Sequence, residues 1–80
     1  GIIAVLVSMA NREDNTPDER TYIAGALARI SMTGAGITEL IAADAINSLV
    51  SMANKDNNTP LGRLYIARAI ANILETDAGI

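Results

Sequence analysis

Histidine, cysteine, phenylalanine and tryptophan are all absent from the 80-residue chain. Without cysteine there is no disulfide framework and no thiolate site, and the redox compartment stays open. Without histidine the usual general base and the commonest metal ligand are missing. An enzyme would have to work with carboxylates or serines alone, and no convergent set of these is visible, so the sequence reads as non-catalytic and free of cofactors. The net charge of −3 is mild, which gives neither a nucleic-acid backbone nor an anionic membrane a reason to bind. The longest apolar run, "GIIAVLV", is far too short to span a bilayer. It also lacks the charged flank and cleavage pattern of a signal peptide. The chain opens on Gly1 rather than Met, as an excised or processed segment would.

What is present is aliphatic. Half of the residues are apolar, drawn from Ala, Ile, Leu, Val and Met, with two tyrosines as the whole aromatic content. Ala and Leu favour helices, and Ala is poor in strands, so the expected class is all-α. The second feature is repetition: "SMANREDNTP" at 8–17 returns as "SMANKDNNTP" at 51–60. With the chain shifted by 43, residues 1–37 and 44–80 share 21 identical pairs out of 37, Tyr22 and Tyr65 among them. A period of this size is the signature of stacked helical repeats.

Within each copy the helix signals are legible. Thr16-Pro17 and Thr59-Pro60 each place a hydroxyl N-cap before a proline at the first helical position, where its missing N–H costs nothing. From there helical periodicity runs to about Met32 in the first copy, with Thr33-Gly34 as its stop, and to about Glu75 in the second. Ile2–Asn11 and Ala45–Asn54 read as shorter helices, and Ile37–Ala43 as about two turns of helix behind a break at Gly34 and Gly36. Met9 and Met52 are expected to fill the core. Tyr22 and Tyr65 are expected to bury their rings between helices, with the hydroxyls at the edge.

A short, a medium and a long helix in about 43 residues resembles the armadillo repeat, with the two-helix HEAT repeat as the near alternative. "GIIAVLVSM" and "DAINSLVSM" are similar to the segment that opens the family's second helix, and "IAGALARIS" and "IARAIANIL" to the segment of its third. "ITELIAA" supplies the short first helix that HEAT units usually lack. The resemblance implies a right-handed α–α superhelix, an armadillo-like solenoid fragment covering residues 1–80. Residues 1–36 would hold the second and third helices of one repeat, and 37–80 a full repeat plus the start of the next. It also implies an intracellular setting, cytoplasmic or nuclear, and a concave face lined by the long third helices that takes a protein or an extended peptide.

The two copies themselves point to that face. Unlike pairs in the long helices include Asp18/Leu61, Thr21/Leu64, Gly25/Arg68, Arg29/Asn72 and Met32/Glu75. They step by three or four residues and so share one helical stripe, on a scaffold of identical residues such as Ile23, Ala24, Ala28 and Ile30. Such a stripe is either a surface free to vary or the place where a solenoid sets specificity. Thr21, Gly25, Arg29, Leu61, Leu64, Arg68, Asn72 and Glu75 are the expected contact residues. By the resemblance, Asn72 falls where armadillo proteins carry an asparagine that pairs with a ligand backbone, while Arg29 takes that place in the first copy. The family's tryptophan one turn earlier is replaced by Arg68 and Gly25. Arg29 and Arg68 are suited to carboxylates or a C-terminus. A structural or oligomerising element with no ligand of its own is the alternative. In either case two copies without polar caps are expected to expose apolar ends and to self-associate head to tail.

Overall fold

The computed structural model describes residues 1–78, and within them the backbone forms five α-helices and no strand. They are α1 (Ile2–Ala10), α2 (Pro17–Ile30), α3 (Gly34–Ala42), α4 (Ala45–Ala53) and α5 (Pro60–Ala78). Gly79 and Ile80, matched in sequence to Gly36 and Ile37, lie outside the described residues.

The threonine caps form as their sequence context predicts. Thr16 Oγ1 accepts the Glu19 N–H at 3.1 Å, and the Glu19 carboxylate accepts the Thr16 N–H at 2.7 Å, a reciprocal capping box. Thr59 Oγ1 accepts the Gly62 N–H at 2.8 Å. Each cap is worth about 1 kcal/mol to its helix. The turns that lead into them also repeat. Asn15 Nδ2 donates to the Met9 carbonyl at 2.8 Å, and Asn58 Nδ2 donates to the Met52 carbonyl at 2.8 Å.

The glycines at 34 and 36 do not break the chain between helices. Thr33 caps α3 by accepting the Gly36 N–H at 3.0 Å, so both glycines lie in its first turn. Gly36 is needed there because a Cβ would fall inside the van der Waals radius of the Ile30 carbonyl oxygen. Accordingly α2 ends at Ile30, two residues before its expected end, with Ser31 as C-cap. Helix α5 runs past Glu75 to Ala78.

The long helices α2 and α5 lie side by side and parallel. Thr21 Oγ1 meets Thr59 Oγ1 at 2.6 Å, a Cβ on Gly25 would come 3.3 Å from the Tyr65 ring, and Asn72 Nδ2 donates to Ser31 Oγ at 3.0 Å. These contacts follow in the same order along both helices, which fixes their relative direction. Gly62 permits the close approach at the start: a Cβ on it would stand 3.0 Å from both Thr21 Oγ1 and Thr59 Oγ1. In the first copy Glu19 occupies the same repeat position and is exposed.

The core runs between the copies. Leu27, Leu40 and Leu49 are fully buried together with Ala24, Ala45 and Ala69. Small alanines on the long helices let the helix axes approach, while leucines fill the remaining space. Arg20, 3% exposed, crosses the seam. Its Nε donates to Asn58 Oδ1 at 2.7 Å, its Nη1 to the Asn15 carbonyl at 2.7 Å, and its Nη2 to Asn57 Oδ1. A buried guanidinium anchored in its own copy by the Asn15 carbonyl and held across the seam by Asn58 and Asn57 locks the register of the two copies, because no other alignment offers those two side-chain oxygens.

Two expected core residues are outside it. Met9 is 43% exposed and Tyr22 80% exposed, whereas Met52 is 1% exposed and Tyr65 half-buried. Met52 and Tyr65 lie on the side of the second copy that faces the first. Met9 and Tyr22 lie on the matching side of the first copy, which no helix among the described residues covers.

Candidate functional site

The variable stripe of the long helices surrounds a groove of 620 Å³ between α2 and α5. From α2 come Thr21, Gly25 and Arg29, from the turn after it Met32, and from α5 Leu61 and Arg68. The tyrosines add aromatic walls, with Tyr22 open to solvent and Tyr65 against the Gly25 backbone. Gly25 therefore acts as floor: its bare backbone accepts the Tyr65 ring and leaves the space above it open. Any larger side chain at position 25 must push that ring aside.

A second hollow of 420 Å³ adjoins the first, lined by Ser31, Ile37, Asn72 and Glu75, and Met32 borders both. Asn72 is half-buried here rather than standing clear of the helices. Its amide donates to Ser31 Oγ, which itself donates to the Ala28 carbonyl at 2.6 Å. Asn72 thus ties α5 to the end of α2, an interhelical role that the stripe pattern alone did not indicate. Thr21 is also buried, with its hydroxyl donating to the Pro17 carbonyl at 2.9 Å. It shapes the groove wall while its polar atom is occupied. Leu64 is half-exposed and borders neither hollow.

Of the eight stripe residues singled out in the sequence, Thr21, Gly25, Arg29, Leu61 and Arg68 share the main groove. Asn72 and Glu75 share the adjoining hollow, and Leu64 stands apart. Sequence reasoning missed Tyr22 and Tyr65 as lining residues, and it put Met32 on the stripe without counting it among the contacts. The signal of the tyrosines was weak because they are identical in both copies and resemble scaffold.

Electrostatically the groove is cationic. Arg29 and Arg68 are exposed, and among the described residues neither takes part in an ion pair. The ion pairs lie in the turns instead: Arg12 with Asp14 at 2.9 Å, and Lys55 with Glu13 at 2.7 Å. Hydrogen bonding to Lys55, and then its charge, holds the Glu13 carboxyl below its usual range, and Arg12 does the same for Asp14. Among the described residues no group of three or more Asp or Glu side chains is arranged to hold a metal ion. Nor is any described helix long and apolar enough to cross a membrane.

Comparison with protein-family models, with curated proteins and with solved structures finds no match to this chain.

Proposed function

We propose that this chain is a non-catalytic binding module, an armadillo-like right-handed superhelix fragment whose long helices hold an extended, acidic peptide segment. The observation that carries the proposal is the grouping of Arg29 and Arg68 around one groove with Tyr22, Tyr65, Met32 and Leu61. Its volume of 620 Å³ falls within the range of about 300–1,000 Å³ typical of ligand sites. Each guanidinium offers a planar fork of donors that fits a carboxylate through two parallel hydrogen bonds. The exposed ring of Tyr22 and the thioether of Met32 supply apolar contact for the aliphatic or aromatic neighbours of that carboxylate. Asn72, held by Ser31, borders the adjoining hollow into which the peptide would continue. A second reading, a structural or oligomerising element without a ligand, draws on a different surface: the outer faces of the two copies.

The test is selection from a random peptide library on the immobilised chain, followed by binding measurements with the double variant Arg29→Ala/Arg68→Ala. Enriched peptides should carry Asp, Glu or a free C-terminus, and the double variant should bind them at least about tenfold more weakly. Affinity should also fall as salt is raised. Absence of enrichment, or peptides that bind the double variant equally well, would remove the groove reading.

A further inference from the structure

A second surface, which meets the groove only at Arg68 and Tyr22, carries recognition chemistry of its own. We infer that the outer face of α4 and α5 docks a second copy of this chain through the outer face of α1 and α2, head to tail. The chain's total accessible surface, 4827 Å², is close to the roughly 4,600 Å² expected of a monomer of this mass. Excess area therefore points to no partner. The side chains that form the two faces do.

On α4 and α5 a hollow of 250 Å³ is lined by Ala53, Arg63, Ile66, Ala67 and Ile70. Their counterparts 43 positions earlier, Ala10, Arg20, Ile23, Ala24 and Leu27, are all buried. Four of the five pairs are identical and the fifth exchanges Leu for Ile, so the hollow reproduces the surface that α1 and α2 present to the second copy. Arg63 is already posed. Its Nη1 donates to the Asn58 carbonyl at 3.0 Å, as Arg20 Nη1 does to the Asn15 carbonyl at 2.7 Å. Arg20 spends its other donors on Asn58 and Asn57 across the seam. The Nε and Nη2 of Arg63 have no acceptor among the described residues.

The opposite face holds the missing acceptors. Asn15 is oriented by the Met9 carbonyl just as Asn58 is by that of Met52, and its Oδ1 accepts nothing among the described residues. At the place of Asn57 stands Asp14, a carboxylate instead of an amide and a stronger partner for a guanidinium. The internal ion pair transfers as well. Glu13 meets Lys55 across the internal seam, and at the junction Asp56 of one copy takes the place of Glu13 and Arg12 of the next that of Lys55. The junction would align Asp56, Arg12, Asp14 and Arg63 as alternating charges. Arg68 takes the place of Gly25 opposite Tyr22, where a guanidinium over an exposed ring is favourable. Leu64 and Glu19 replace Thr21 and Gly62, so the long helices cannot close as tightly there. The contact is weaker than the internal seam and reversible.

Because the two faces differ, the contact is heterologous and runs on past two chains, ending only where a larger ring closes. Sedimentation of the 80-residue chain from roughly 1 to 500 µM tests this, with charge reversals Arg63→Glu and Asp14→Arg. The wild-type average mass should rise from 8.4 kDa past the dimer. Each variant alone should associate at least about tenfold more weakly. An equimolar mixture of the two should recover, since the reversed charges then meet as an attractive pair across the junction. If either variant loses its helical circular dichroism, the exchange Arg12→Glu with Asp56→Arg poses the same question on the neighbouring pair. A wild-type chain that stays monomeric, a plateau at the dimer, or variants that associate like wild type would each overturn the proposal.

Discussion

In the copy formed by α1 and α2, Ala10, Arg20, Ala24 and Ala28 are buried, while Met9 and Tyr22 face solvent. In the copy formed by α4 and α5 the same residue types reverse. Ala53, Arg63, Ala67 and Ala71 are exposed, Met52 is buried and Tyr65 half-buried. Neither the local sequence nor the local hydrogen bonds differ enough to explain this: the Asn turns repeat and both threonines accept the N–H three residues on, the Glu19 carboxylate of the first cap being the one difference between the caps. What differs is the neighbour. Each copy has one face turned toward the other copy and one turned away, and burial follows the face. A side chain's contribution to stability in such a chain is therefore a property of its position in the array.

The largest effect that sharpens the contrast is at methionine. Met52→Ala removes a side chain that is 1% exposed and should cost about 3 kcal/mol. Met9→Ala, at 43% exposure, should cost less than about 1 kcal/mol. Urea denaturation of both variants at low protein concentration checks this, and equal losses would show that the two faces are not distinct.

Arginine should show the next effect. Arg20→Ala strips three acceptors of a buried donor and should cost about 2 kcal/mol, while Arg63→Ala loses one partly exposed hydrogen bond and should cost about 0.5 kcal/mol. The same denaturation series reads both. A result in which Arg63 matters more would mean that its face is covered even in the dilute chain.

The smallest effect concerns the ion pair that bridges the copies. The folded-state pKa of Glu13 lies below its ordinary value of 4.5 because Lys55 hydrogen-bonds to it and attracts it. A depressed carboxyl contributes stability that is present above pH 4.5 and is lost as pH falls through the lowered value. Wild type should therefore lose slightly more stability than Glu13→Gln on acidification from neutral pH into that range, a small difference because Glu13 is exposed. Parallel acid titrations of the two proteins, followed by circular dichroism, measure it.

Much of the helical layout was legible in advance. The Thr-Pro starts, the shorter helices over 2–10 and 45–53, and the all-α class rest on interactions within about four residues, which a sequence displays directly. The start of α3 was misplaced because glycine usually signals a break, and the reason for Gly36 is contact with the Ile30 carbonyl. The groove was half legible. Periodicity put Gly25, Arg29 and Arg68 on one stripe, yet it did not show that Asn72 would be tied to Ser31 or that Tyr22 would be exposed. One clue was available: a glycine at 62 where the other copy has Glu19 marks a close helix contact.

By itself, then, the sequence determined where helices start, that the unit occurs twice, and which residues lie on a common helical stripe. The tertiary structure decided which copy of each identical residue is buried, what Arg20 and Asn72 bond to, and which stripe residues share a groove. The division has a physical cause. Caps and periodicity are satisfied within one turn, but Arg20 finds Asn58 38 residues away and Asn72 finds Ser31 at a separation of 41. Those partners exist only once α2 and α5 lie side by side.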